Sequence, residues 1–200
     1  MRLGVFGGTF DPPHLGHLIL AAEAHAQLGL ERVLWVLTPY PPHKAEQPIT
    51  PLADRLDLLL AALDDDPIFE LSRVDIDRPP PHYALDTMNL LRAQYPNAML
   101  IYLMGGDSLV DLPLWHRPVD FVHACDEIGV MLRPGHAIDL DVMEARLPGL
   151  RQRARLVRAP LLEISSSDVR SRIVQGRPYR YLLPDSVYRL VADRQLYRQV

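Results

Sequence analysis

Residues 3–18 read LGVFGGTFDPPHLGHL, and the fold turns on how this stretch divides. Arg2 to Phe6 is short, apolar and β-leaning, and Gly7-Gly8 ends it, as expected of a strand. From Leu15 to Leu28 the apolar residues Leu15, Leu18, Ile19, Ala22 and Ala26 recur at helical spacing. Strand, glycine-rich loop and helix therefore follow one another directly, and the same alternation runs on outward. Arg32 to Thr38 is a second strand, ending in the proline-rich PYPPHKAEQP. Thr50-Pro51 reads as an N-cap and first-turn proline for a helix carrying Leu52, Leu56, Leu59, Leu60 and Leu63. IFELS near residue 70 is a third strand, Tyr83 to Tyr95 a helix, and Ala98 to Met104 a continuous apolar run typical of a strand buried on both faces. Glu127 to Leu132 is a fifth strand, and either ARLVRA or LLEIS supplies a sixth. The last 35 residues read as helical throughout. Strands alternating with helices of this length imply an α/β fold, a doubly wound parallel sheet covered on both sides. A core over residues 1–163 with a small helical C-terminal subdomain over 164–200 follows, within a single domain.

Composition narrows the classes. With 48% hydrophobic residues in 200, the chain can bury a sizeable core. A formal charge of −4 argues against a general binder of nucleic acid or membrane surfaces. The basic stretch Arg151 to Arg155 reads more readily as a solvated helix end than as an RNA patch. A single cysteine, Cys125, rules out an internal disulfide and suits a reducing compartment. No signal peptide is evident and no apolar run is long enough to span a bilayer; a cytoplasmic protein is expected. Among 21 basic side chains Lys44 is the single lysine, which hints that a compact ammonium is wanted in PPHK.

In an open parallel sheet, ligands bind beyond the carboxyl ends of the strands. Three polar segments meet there: residues 7–17, Thr38 to Lys44, and Gly105 to Ser108. In the first, Gly7 and Gly8 allow close backbone approach and tolerate positive φ, and Thr9 adds a hydroxyl. The helix opening near Pro13 to Gly16 offers free N–H groups to an anion. His14 and His17, three apart, share a helix face, and Gly16 between them keeps the surface low. The loop reads as a phosphate cradle with two imidazole donors. A metal pair is the weaker reading, because no carboxylate or cysteine nearby completes a coordination sphere.

The opening motif GTFDPPHLGH resembles the HxGH nucleotidyltransferase superfamily, and ISSSDVRSRI (Ile164 to Ile173) resembles its C-terminal ISSTxxR element. Serines at a helix start cap its N–H groups, and Arg170 one turn on adds a guanidinium. Within the superfamily the chain is most similar to the bacterial nicotinate-nucleotide adenylyltransferase family, through the opening loop, PPHK, GGDSLVDLPLW, ISSSDVR and YLLPDSVYRL. Two departures stand out. The family commonly shows Ser-Tyr-Thr where this chain has His82-Tyr83-Ala84, with Thr87 retained, and Gly-Ala-Asp where it has Gly105-Gly106-Asp107.

The resemblance implies a Rossmann-like fold and the joining of ATP to nicotinate mononucleotide, with Mg²⁺ carried by the ATP phosphates and no dedicated protein metal site. It implies catalytic roles for His14, His17, Lys44 and Arg170. Gly7, Gly8, Thr9, Phe10, Gly16, Asp107, Ser166 and Ser167 would contact ATP, with Phe10 lining it through backbone and side chain. Lys44, Tyr83, Thr87 and Trp115 would hold the acceptor, Trp115 by stacking on the pyridine ring. Alternatives are nicotinamide mononucleotide as acceptor or dual specificity, then a pantetheine-phosphate adenylyltransferase, then a non-catalytic nucleotide sensor.

Overall fold

The computed structural model describes residues 1–42, 48–63, 66–132, 139–160 and 162–198. Lys44 lies outside them. The chain runs β1 (Arg2–Gly8), α1 (Leu15–Leu28), β2 (Arg32–Leu37), α2 (Leu52–Leu63), β3 (Phe69–Ser72), α3 (Ala84–Gln94), β4 (Met99–Gly105) and α4 (Gly106–Asp111). It continues through α5 (Pro118–Ala124), β5 (Glu127–Leu132), α6 (Leu140–Arg146), α7 (Leu150–Arg153), β6 (Ala154–Arg158), α8 (Ser166–Val174) and α9 (Asp185–Asp193). The six strands form one sheet in the order β3-β2-β1-β4-β5-β6, every pairing parallel. This is a Rossmann-like α/β fold whose strand order reverses between β1 and β4, where the crevice of such sheets opens.

Alternation within the strands explains the two covered faces. Leu3 and Val5 of β1, Leu34 and Val36 of β2, and Leu100, Tyr102 and Met104 of β4 pack on one face with α3, α5, α6 and α7. Phe6, Val33, Trp35, Leu37, Ile101 and Leu103 pack on the other with α1 and α2. Runs that looked uniformly apolar are therefore buried on both sides, as parallel strands require.

A third cluster joins Leu58 of α2 to Ile164, Val169, Leu183, Val187 and Val191. Each such buried aliphatic side chain stabilises by about 1.5–3 kcal/mol, whereas the half-exposed pairs from Arg194 to Asp54 and Asp57 add little. Apolar burial thus holds the C-terminal helices on α2.

Several details differ from the sequence reading. The sixth strand is ARLVR, not LLEIS. The C-terminal stretch is not helical throughout: α8 and α9 are separated by an irregular segment with one short 3₁₀ turn at Arg180–Leu182. Gly105 to Ser108 is not a loop; Gly105 caps α4, which begins at Gly106 and buries Leu109 beneath the sheet end. Helix α2 starts at Leu52, so Pro51 supplies the first accepting carbonyl, to the Arg55 N–H at 3.1 Å. The Thr50 N–H donates instead to Asp11 Oδ2 at 3.2 Å.

The arginines of 151–155 have partners inside the molecule. Arg151 pairs with Asp141, Arg153 donates to the carbonyls of Cys125 and Gly149, and Arg155 pairs with Glu127.

Candidate active site

A cavity of about 580 Å³ opens at the carboxyl ends of β1, β2 and β4. Its lining includes Gly7, Gly8 and Thr9, then Thr38, Pro41 and Pro42, and then Tyr83, Thr87, Trp115 and His116. Trp115 is half-buried against Tyr102 and Phe121, with ring centroids at 6.1 and 5.2 Å. Tyr83 stacks on His116 at 4.0 Å. Thr87 is buried, and its hydroxyl donates to Asp75 Oδ1 at 2.8 Å, which fixes that oxygen's orientation at the cavity edge.

Beside the cavity lies a denser polar cluster around the start of α1. His14 is the N-cap of α1, and its ring stacks on that of His17 with centroids 3.6 Å apart. The His14 N–H donates to His17 Nδ1 at 3.2 Å, so in the neutral ring the hydrogen sits on His17 Nε2 and makes that nitrogen the donor. The Phe10 ring packs against that of His17 in a T-shaped arrangement, with centroids 5.2 Å apart.

Helix α8 abuts this point. Ser165 caps it, accepting from the Asp168 N–H at 3.1 Å. Ser166 Oγ donates to the Pro12 carbonyl at 2.9 Å, and Arg170 donates to the Asp11 carbonyl at 2.7 Å. Its other terminal nitrogen lies 3.4 Å from Ser167 Oγ. Two helix N-termini thus meet side by side, each equivalent to roughly half a positive charge.

Arg55, which the leucine pattern of α2 hides, ties the loops together. It is 2% exposed and donates to the carbonyls of Thr50, Thr9, Thr38 and Pro39 at 2.9, 3.0, 2.9 and 2.7 Å. Burial lowers its pKa from the ordinary arginine value, opposed by the nearby Asp11 and by Tyr197 and Tyr40. Asp11, itself buried, also accepts from the Tyr197 hydroxyl at 2.8 Å, and burial followed by the Asp11 charge raises that phenol's pKa.

The structure corrects the expectations for Phe10, Gly7, Gly8 and Gly16. The Phe10 side chain does not face a ligand; it is buried against Phe6, Trp35 and His17, and only its backbone, at φ 46°, shapes the loop. Gly7 and Gly8 do not use positive φ. They are small because a Cβ would stand 2.8 Å from Tyr102 Oη at Gly7 and 2.8 Å from the Phe10 ring at Gly8. At Gly16 a Cβ would come within 3.1 Å of the His14 ring, so the space is taken by that imidazole. Asp107 is exposed in the first turn of α4, and its neighbour Ser108 lines the cavity. Asp75, His82 and Tyr102 also line it; no local motif marks Asp75 or Tyr102, and His82 stands out only as a departure from the family pattern.

A model of the cytidylyltransferase-like family matches residues 5–172. The chain belongs to this family, as the doubly wound sheet and the paired helix starts at its switch point lead one to expect. A Thermomicrobium roseum protein named "Probable nicotinate-nucleotide adenylyltransferase" is 48% identical over 100% of this chain and 92% of its own length. One from Saccharopolyspora erythraea bearing the same name is 42% identical over 98% and 90%. Within the family, the chain therefore groups with the nicotinate-nucleotide adenylyltransferases. The Plasmodium falciparum nicotinic acid mononucleotide adenylyltransferase complexed with NaAD shares the fold, at TM-score 0.82 and 15% identity over 98% of this chain and 97% of that one. The same enzyme complexed with APC gives a TM-score of 0.77 at 16% identity, over 98% and 96%.

Proposed function

We propose that the protein transfers the adenylyl group of ATP to nicotinate mononucleotide, releasing pyrophosphate and forming nicotinate adenine dinucleotide in NAD biosynthesis. The observation that carries the reading is the junction of α1 and α8, where His14, His17 and Arg170 gather at two helix starts beside an aromatic-walled cavity.

The acceptor's phosphate monoester has a second pKa near 6, so at neutral pH it is already largely a dianion and needs no general base. The protein's task is to align two mutually repelling polyanions and stabilise charge at the α-phosphorus. His17 Nε2–H, fixed in direction by the bond at Nδ1, would donate to a phosphate oxygen, and His14 and the first N–H groups of α1 would flank it. Arg170 and the start of α8 would take the leaving pyrophosphate, with Ser166 and Arg170 also holding residues 11–12 in shape. Thr9 and Gly8 would meet the nucleotide through backbone groups, Asp107 would stand at its ribose or adenine side, and Lys44 would add phosphate neutralisation. Trp115 and Tyr83 would give the pyridine ring apolar faces to pack on. Mg²⁺ enters with ATP as part of the substrate, held by phosphate oxygens and water. Among the described residues no three His, Cys, Asp or Glu side chains cluster as a cation cage.

A cytoplasmic setting suits this activity. Cys125, the single cysteine, is buried and free, and among the described residues no helix is long and apolar enough to cross a membrane.

The test is pyrophosphate release with ATP and Mg²⁺, offering nicotinate mononucleotide, nicotinamide mononucleotide and phosphopantetheine in parallel, with a chelator control that should abolish turnover. Preference for nicotinate mononucleotide is expected. ATP binding without release on any acceptor would refute the reading in favour of a nucleotide sensor.

A further inference from the structure

The cavity that would take the pyridine acceptor has an unusual charge inventory. Among its described lining residues there is no lysine or arginine, and only His82 and His116 can carry positive charge. His116 is exposed and lies flat on Tyr83. His82 is 4% exposed and sits just before α3.

The His82 ring has one nitrogen engaged and one left over. Nε2 lies 3.3 Å from the Arg78 carbonyl; that oxygen can only accept, so Nε2 carries a hydrogen. Nδ1 is buried with no hydrogen-bond partner, a costly condition that native structures rarely leave without a reason. The backbone on either side is held firmly: the Arg78 guanidinium donates to the carbonyls of Pro81 at 2.7 Å and Tyr83 at 3.4 Å. Arg78 is in turn paired with buried Asp75 at 2.9 Å, so neither of these charges is left to neutralise a ligand. Tyr40, 64% exposed, has its ring 5.9 Å from that of His82.

We propose that His82 selects a carboxylate-bearing pyridine acceptor. On this proposal, which rests on the adenylyltransfer reading above, the acceptor carboxylate draws a proton onto Nδ1. The resulting imidazolium donates Nε2–H to the Arg78 carbonyl and Nδ1–H to the carboxylate. One proton is taken up as the acidic acceptor binds, and none as the carboxamide binds, because a neutral ring can accept from its NH₂ group at Nδ1. The titratable groups nearby are Arg78, whose carbonyl meets Nε2, and Tyr40, with Asp75, paired to Arg78, and Tyr83 and His116 lining the same cavity. Rising pH therefore weakens binding of the acid acceptor alone.

The experiment uses the full chain and its His82→Phe and His82→Asn variants, with ATP in excess. Pyrophosphate release on nicotinate mononucleotide by the unaltered protein is measured first; its failure refutes the adenylyltransfer reading itself. With that activity in hand, His82→Phe is expected to raise KM for nicotinate mononucleotide by roughly ten- to hundredfold, the worth of one hydrogen bond to a charged group. It should leave kcat and the KM for ATP within about threefold and the KM for nicotinamide mononucleotide little changed. His82→Asn, which keeps an uncharged N–H near the Nδ1 position, should recover part of the KM and lose its pH dependence. Calorimetry in two buffers of different ionisation heat should show proton uptake on nicotinate mononucleotide binding by the unaltered protein and none in His82→Phe. Equal losses on both acceptors, an unchanged acid-to-amide preference, or no proton uptake by the unaltered protein would overturn the proposal and assign the carboxylate to backbone N–H groups or to Lys44.

Discussion

Replacing Arg55 with methionine keeps most of the side-chain length while removing every donor. The four carbonyls of Thr9, Thr38, Pro39 and Thr50 then lose a charged partner held at 2.7–3.0 Å. A hydrogen bond to a charged group contributes about 1.5–3 kcal/mol, and a buried carbonyl left without a donor costs about 1–3 kcal/mol. These figures do not simply add, because the variant no longer buries a guanidinium, whose own desolvation the lowered Arg55 pKa records. The net loss should resemble that of breaking a buried polar pair, about 3–5 kcal/mol. For a chain of this size that corresponds to a fall in Tm of about 6–20 °C. Urea unfolding gives the free energy, and pyrophosphate release on the folded fraction gives the functional effect. We expect kcat to fall at least about tenfold, because the loop at Thr9 and the segment at Thr38–Pro39 lose their common anchor. Arg55→Lys, with three donors on a shorter reach, should recover part of the stability. A loss below about 1 kcal/mol in Arg55→Met, with kcat unchanged, would refute the idea that one guanidinium organises these loops.

Three further outcomes follow from the same geometry. His17→Ala should lower kcat by at least about tenfold, or over about 1.4 kcal/mol, with ATP and an acceptor saturating; full turnover by a folded variant would remove His17 from the chemistry. Gly7→Ala sets a Cβ 2.8 Å from Tyr102 Oη and should destabilise by about 1–3 kcal/mol in thermal melts. Adding Tyr102→Phe should restore most of that loss, since the next ring atom lies at 3.6 Å. Glu144 accepts the N–H groups of Gly149 and Arg151 at 2.8 and 2.7 Å, which holds its pKa below the ordinary glutamate value. That contribution is present above the unfolded pKa and disappears as pH falls through the lower folded one. Glu144→Gln should therefore weaken the protein in urea at pH 7 and leave it unchanged at strongly acidic pH.

What the sequence revealed was local. Strands β1, β2, β4 and β5 and helices α1 and α3 announce themselves because apolar period and glycine or proline boundaries are properties of neighbouring residues. Gly-Gly-Asp-Ser has the composition of a turn, yet α4 forms there because burial of Leu109 outweighs that preference. Helices α5 and α6 escaped notice because seven residues each give too few periods to stand out. At the site, His14, His17 and Arg170 were legible from motif spacing, and the structure brings their elements together. Arg55, Asp75 and Tyr102 were not, because what surrounds them is supplied largely by segments distant in sequence. The Phe10 side chain was misplaced for the same reason: only the packing of Trp35 and Phe6 shows that the position behind Thr9 is interior.

The ties between the two ends of the chain also order events in time. Pro12, the Asp11 carbonyl and the Asp11 carboxylate are held by Ser166, Arg170 and Tyr197, 154, 159 and 186 residues later. During synthesis at about 5–20 residues per second, the opening loop waits roughly 10–40 s for these partners. Until then it has glycines and histidines but no second helix start against which to set them. The opening loop therefore gains its full set of supports only once the chain has been made as far as Tyr197.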